Sequence, residues 1–288
     1  VPATQVSATD YIVLDGYNPS GLSGDFTNEA DVGTPQNKVG ISVENGSIID
    51  GALINDGAVN ASYTDLTAAI GVAGIFVSEN AFIVNGILNN GTIEARAEGG
   101  DGSLVVSQAA GVEYNTADLT GSRARVENAL DAIISAEAYA TATESAYARA
   151  FGISEKVNGA SSADLSAINH GRISVAASAS ASSTSATADA RASATGVFFL
   201  AFVGGGPENG DVYNDGTITA NASAHATAPK TANAFSYANG SGQYMSGGVA
   251  NFEVVNRGDI EAMSTAVAYG TEGNAIAFAD VDGTYQGS

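Results

Sequence analysis

Five residues, Asn-x-Gly-x-Ile, return along this chain at a nearly fixed interval, and that recurrence limits the available folds more than any other feature. The copies are Asn89-Asn90-Gly91-Thr92-Ile93, Asn169-His170-Gly171-Arg172-Ile173, Asn214-Asp215-Gly216-Thr217-Ile218 and Asn256-Arg257-Gly258-Asp259-Ile260. Glu44-Asn45-Gly46-Ser47-Ile48 reads as a variant, and Asn128-Ala129-Leu130-Asp131-Ala132-Ile133 as a degenerate copy without its glycine. The isoleucines at 48, 93, 133, 173, 218 and 260 are then separated by 45, 40, 40, 45 and 42 residues. Self-similarity at this period is the mark of a solenoid, a propeller or a related array.

The residues after each pentad separate these possibilities. Behind Ile218 come Ala220, Ala222, Ala224, Ala226 and Ala228, interleaved with Thr219, Asn221, Ser223, His225 and Thr227. Behind Ile173 come Val175, Ala177, Ala179 and Ala181, again alternating with small polar residues. A period of two places every second side chain on one face of a strand, whereas a helix needs apolar residues three and four apart. Alanine favours helices by propensity, but the strict alternation with Ser and Thr outweighs it. A second alternating run returns within each unit, as in Ala186–Gly196 and Ala146–Gly152. Asn-Gly and Asp-Gly pairs accept left-handed backbone and so mark the corners.

The expected fold is all-β: a parallel β-helix (β-solenoid) of 40–45-residue repeats. Each repeat is read as two coils of roughly 20 residues, so that about thirteen rungs at ~4.8 Å would make a rod about 60 Å long. Propeller blades of this length would carry four short strands with aromatic anchors. Because alanine dominates while Leu and Met are scarce, the core should be thin, with backbones in close approach. Residues 1–40 hold three of the five prolines and no clear pentad; they are expected to form an N-terminal cap or arm, with the solenoid over 41–288. The most apolar run, Val197–Val203, reads as buried strand or as a partner surface.

Charge and composition exclude several functions. A net charge of −21, from 31 acids and 10 bases, is repelled by nucleic-acid phosphates and by anionic bilayers. It suits an elongated soluble rod, and it can attract divalent cations. There is no cysteine, hence neither a disulfide scaffold nor a thiolate metal site. No stretch of eighteen apolar residues exists to insert as a membrane helix. Val1-Pro2-Ala3-Thr4 reads as a mature start behind a removed signal peptide, pointing to an extracellular or cell-surface location.

The pentad, the alternating alanines and a return strand ending in glycine together resemble the passenger repeats of autotransporter-like surface proteins of Gram-negative bacteria, over residues 41–288. The resemblance implies a parallel β-helix, export across both membranes, and adhesion or matrix functions; it brings no catalytic residue. The translocator barrel usual in such proteins has no counterpart in this sequence, which closes on Val281-Asp282-Gly283-Thr284-Tyr285-Gln286-Gly287-Ser288.

Candidate sites are few. Parallel β-helix hydrolases and lyases need a carboxylate pair or a calcium-bound acid with a base, but bases are scarce here. His170 sits at a corner and His225 at an outward position, both read as solvated, while Arg149 and Arg191 are outward residues read as balancing local acid. No nucleophile elbow, phosphate loop or zinc-protease motif is present, and the chain is expected not to be an enzyme. Calcium is the one cofactor considered, at Asp280 and Asp282 before Gly283 and at Asp101 before Gly102, where carboxylates sit in turns that suit a hard cation; Asp-Gly is also ordinary turn chemistry. Tyr139, Tyr147 and Phe151 form an outward aromatic group able to stack on a sugar or a protein. Two readings of function stand open. One is a filament or surface-layer subunit stacked end to end through terminal rungs and the N-terminal arm, and the other a monomeric adhesin binding glycan or a cell surface.

Overall fold

The computed structural model describes residues 11–15, 22–65, 70–78, 80–117, 122–204, 206–246 and 249–287. It is a parallel β-solenoid: every pairing between named strands is parallel, and each strand lies beside its counterpart one rung away. A rung has three parts. An outgoing run such as Thr217–Ala228 leaves the corner, a return run such as Thr231–Ser246 comes back facing it, and a closing strand such as Val249–Asn256 leads to the next corner. Seven closing strands form a separate sheet from Phe26–Asn28 to Val249–Asn256. A two-strand ladder, Ile48–Ile49 on Phe82–Ile83, patches the narrow early rungs.

One coil, not two, makes up each repeat. The register matches Ile173 to Ile218 and Ala188 to Ala232, each a full repeat apart. The two alternating runs of a repeat are therefore opposite walls of one coil rather than successive coils. Return runs stack eight deep, from Ile12–Asp15 to Asn274–Gly287, so the rod spans about 35 Å at ~4.8 Å per step rather than about 60 Å. The described part of residues 1–40 belongs to this stack, since Ile12–Asp15 pairs with 41–44 and Phe26–Asn28 with Leu53–Asn55. Residues 1–10 and 16–21 of the expected cap or arm lie outside the described residues.

The pentad asparagine is the main structural surprise. Asn28, Asn55, Asn89, Asn128, Asn169 and Asn214 are fully buried or nearly so, and the column ends at Asn256. Each side-chain amide donates to the Oδ1 of the next asparagine at 2.7–2.8 Å, making an unbroken ladder along the rod. The sequence separations across these bonds, 27, 34, 39, 41, 45 and 42 residues, are the rung lengths. The same Nδ2 also donates to a carbonyl within its own corner and to one in the next rung, as Asn169 does to Gly171 O and Thr217 O. A buried amide is costly unless satisfied, and here each amide is satisfied by its copies.

Two details of the corner differ from expectation. The glycines Gly91, Gly171, Gly216 and Gly258 do not adopt positive φ. They are needed because the corners stack backbone on backbone: a Cβ on Gly216 would collide with Gly171 O, and one on Gly258 with Gly216 O. The variant at Glu44–Ile48 is a tight turn with positive φ at Asn45 and Gly46, and the true corners of that region are Asn28 and Asn55. The degenerate copy is one residue longer than read, with Asp131 in the left-handed region, so Ile134 and not Ile133 fills the isoleucine column.

That column, Val59, Ile93, Ile134, Ile173, Ile218 and Ile260, interlocks with a glycine column on the return runs. A Cβ on Gly74, Gly111, Gly152, Gly196 or Gly240 would collide with Cγ2 of the facing isoleucine and approach the next glycine carbonyl. The glycine column divides each rung in two. On one side lies an arch in which outgoing and return alanines face each other, for example Ala177, Ala179 and Ala181 with Ala188, Ala190 and Ala192, all buried. On the other lies a wider head filled by larger side chains, including Tyr114, Phe199, Leu165 and Met245. Inward parity also switches there: Ala190, Ala192 and Ala194 point in before Gly196, and Val197, Phe199 and Ala201 after it. The apolar run 197–203 is thereby split, with Phe198, Leu200 and Phe202 facing outward.

Candidate functional site

The return runs carry the most distinctive outer surface. Register places Tyr147, Arg191, Phe235 and Phe278 in one column along the rod. Two residues on, Arg149, Ser193, Tyr237 and Asp280 form a second column, and Phe151, Thr195, Asn239 and Asp282 a third. Past the glycine column, Phe198, Gly242 and Tyr285 form a fourth. Of these, Tyr147, Arg149, Phe151, Arg191, Ser193, Thr195, Phe198, Tyr237, Asn239, Gly242 and Tyr285 line an open groove of about 420 Å³ at the junction of arch and head. Alternation makes this surface, since each polar or aromatic partner of an inward alanine must point out.

The groove's cations differ in their surroundings. Arg191 donates to Asp189 Oδ2 at 2.9 Å and lies between two rings, 5.5 Å from the Tyr147 centroid and 5.3 Å from that of Phe235. The Asp189 hydrogen bond, ahead of its charge, raises the arginine further above its ordinary value. Arg149 is exposed, and among the described residues it has no ion pair and no ring partner. The sequence expectation that both arginines balance local acid therefore holds for Arg191 and fails for Arg149. Phe151 packs on Phe198 with centroids 5.2 Å apart and is nearly covered, while Tyr237 packs on Phe278 at 5.8 Å.

Of the three aromatics singled out in the sequence, Tyr147 and Phe151 meet in this groove. Tyr139 does not. It lies on the outgoing part of its rung, stacked under Arg96 at 4.7 Å and donating to Glu137 Oε2 at 3.2 Å. Burial and Glu137 push its hydroxyl above the usual tyrosine value. Phe198 comes from the apolar run read as buried strand or partner surface, while Tyr237 and Tyr285 are groove members that sequence reasoning missed. The signal for them was the register of successive return runs, which becomes readable only once the repeat is known to be a single coil.

The carboxylates considered for calcium are not brought together. Asp101 sits in a positive-φ turn between outgoing and return runs of an early rung, whereas Asp280 and Asp282 flank Val281 on the last return run. Among the described residues no group of three or more Asp, Glu or His side chains converges. A second groove, of about 560 Å³, crosses the closing strands beside Arg123, Arg125, Asp164 and Asp211. Its arginines are already engaged, Arg123 with Asp164 at 3.5 Å and Arg125 with Glu127 at 2.9 Å. Burial, Glu253 and Asp164 hold Asp211 above the ordinary carboxylate value. The histidines lie apart from both grooves, His170 at 2.7 Å from Asp215 Oδ1 at a corner and His225 against Tyr269 on an outgoing wall.

The fold thus defines a class, the parallel β-solenoids with single-coil repeats. No protein-family model matches the chain, and neither a curated protein nor a solved structure is significantly similar to it.

Proposed function

We propose that this chain is a non-enzymatic extracellular rod of the adhesive kind, acting through the outer face of its return runs on a glycan or cell surface. The observation that carries the reading is the groove, where Tyr147, Phe198, Tyr237 and Tyr285 come from four successive rungs to one face beside the exposed Arg149. Amphipathic rings at close rung spacing supply contact area at little entropic cost, and the stacked rungs hold them rigid. The test is binding of the labelled chain to cells and to an array of polysaccharides. Tyr147→Ala with Tyr237→Ala should abolish saturable binding while leaving the β circular dichroism unchanged. Undiminished binding by that variant would remove the reading.

A filament built by end-to-end stacking has one observation in its favour. The outer edges of Asp259–Gly270 and Asn274–Gly287 are unpaired among the described residues, and such edges invite a further strand. The rungs are not equal, however. From the isoleucine column to the glycine column the arch takes 8 residues between Val32 and Gly40 but 23 between Ile260 and Gly283. A copy stacked head to tail would match only the head, leaving the long arch unpaired. Sedimentation over a wide concentration range, with calcium and with chelator, separates the two readings: discrete rods support adhesion, and ordered fibres in electron micrographs support polymerisation.

A further inference from the structure

We infer that the ligand of the return-run groove is an acidic polysaccharide, its carboxylate or sulfate held by Arg149 and its sugar faces stacked on the surrounding rings. The inference rests on the proposed adhesive role of this wall and adds to it the chemical class of the ligand.

The first argument is charge. Among the described residues Arg149, Arg172 and Arg257 carry no ion pair, and of these three Arg149 alone lines the groove. Its neighbours across the sheet are Gln108 in the preceding rung and Ser193 in the following one, and along the strand Tyr147 and Phe151. None of these can neutralise it. Arg191 is engaged by Asp189, and Asp280 and Asp282 lie two rungs beyond Ser193 and Thr195, outside the lining of the groove. The end that holds Arg149 is therefore locally positive, and the remaining acids of the rod act on it only through a Debye length of about 8 Å at physiological salt. A planar guanidinium with free donors takes a carboxylate or sulfate through paired hydrogen bonds.

The second argument is shape. Gly242 stands between Phe198 and Tyr285 in its column, and nothing forces glycine there: its φ is not positive, and an added Cβ would meet only ordinary contacts of 3.6 Å with Phe198 and Thr195. The missing side chain leaves a depression over Gly242, between strands two rungs apart (roughly 9.6 Å by strand spacing) that carry Phe198 and Tyr285, with the Phe198 ring at its edge. Ser193 and Asn239 border the groove as hydroxyl and amide partners. The return runs that carry Tyr147, Phe198 and Tyr237 are paired on both edges, so a peptide could add a strand only outside Asn274–Gly287, the last run of the groove. The groove's lining comes from four successive rungs, so a chain of sugars lying along the rod could contact each of them.

The experiment measures affinity of the full chain for four immobilised polymers at low and physiological salt: polygalacturonate, heparin, neutral dextran and polyglutamate. Binding to polygalacturonate or heparin, with dextran and polyglutamate at least tenfold weaker, is expected; which of the two binds tells carboxylate from sulfate. Arg149→Gln should weaken the acidic polymer at least tenfold and flatten its salt dependence. Arg172→Gln, which makes the same charge change on the outgoing wall, should stay within twofold. Equal binding of polyglutamate, equal binding of dextran, or equal losses for Arg149→Gln and Arg172→Gln would overturn the inference. If the tyrosine variant loses cell or polysaccharide binding while Arg149→Gln keeps it, the adhesive wall stands and its acidic ligand falls. If neither variant changes binding, both fall.

Discussion

Head and arch share every rung yet follow different rules. From the glycine column to the next asparagine the head takes 15 residues in the early rungs, Gly40 to Asn55 and Gly74 to Asn89, and 18 between Gly196 and Asn214. Over the same rungs the arch grows from 8 residues to 23. The head is fixed because its interior is specific: an asparagine ladder that must align, and an isoleucine that fits against a glycine. The arch can lengthen because its interior is generic. Two facing strands lined by alanine bring their backbones closer than the ~10 Å usual between sheets, and each added pair of residues repeats the same small contact. A solenoid of this kind gains surface without redesigning its core, and the groove lies just where the extendable part meets the fixed part.

The comparison breaks most severely at the glycine column. Gly196→Val should cost about 3 kcal/mol or more, because the new side chain has to displace Ile218 Cγ2 and the Gly240 carbonyl from a packed junction. Gly71→Ala, on an exposed stretch of return run with nothing near the added Cβ, should change stability by less than about 0.5 kcal/mol. Thermal melts of the two variants check this, and similar melting shifts would mean that the column is not the keystone of the rung. The next effect belongs to the ladder. Asn169→Ala removes its own amide and strands the Asn128 donor and the Asn214 acceptor in the core, at about 1–3 kcal/mol for each group left unmade. Asn256→Ala, at the half-open end of the same column, should cost no more than about 1 kcal/mol. Urea titrations that show equal losses would reduce the ladder to a row of independent corner caps.

This contrast also explains what could be read from the sequence. The pentads and the alternating alanines announce a parallel β-solenoid with a thin core, because both features are local. Whether a return run such as Ala188–Gly196 stacks on Ile173–Ala181 or faces it across the core is a long-range fact, and both arrangements give the same alternation. Hence the coil count came out doubled and the rod too long. The asparagine reads as a turn residue by type, while its burial depends on identical residues about 40 positions away. The groove was half legible: Tyr147 and Phe151 stand out on one strand, but Tyr237 and Tyr285 join them only through register. Glu155 was hidden by the parity switch at Gly152, which turns the odd-numbered positions of that strand inward.

Glu155 sharpens the comparison from inside the head, where it stacks between Tyr114 and Phe199 in adjacent rungs, fully buried. Desolvation raises its carboxyl well above the ordinary 4.5, the Ser166 backbone amide opposing this only in part and the Asp164 charge adding to it. A carboxyl whose folded value lies above its unfolded one contributes stability that is complete below about pH 4.5 and is lost as pH rises toward the folded value. The slope reaches at most about 1.4 kcal/mol per pH unit. Glu155→Gln keeps the shape and the neutral state, so it should melt higher than the parent at pH 7 and match it near pH 4. Repulsion among the remaining acids is common to both chains and cancels in the difference. Parallel melting curves from pH 4 to 8 would show that Glu155 is ionised in the fold.

The smallest effect is expected on the outer wall, where Arg96 reaches Glu137 in the next rung at 2.9 Å and Glu98 at 3.5 Å. This pair runs along the rod in the same direction as the asparagine ladder, so it tests whether direction or burial makes a rung-to-rung bond matter. Arg96 and Glu137 are respectively 49% and 38% exposed, and water screens most of their attraction. A double-mutant cycle of Arg96→Ala and Glu137→Ala should give a coupling of about 0.5 kcal/mol that vanishes near 1 M salt, where the screening length is about 3 Å. The Asn169 penalty, set by desolvation rather than by charge, should persist in the same salt. A coupling on the wall as large as the ladder's, or a ladder penalty that salt erases, would mean that the rod is held by its surface charges and not by its buried amides.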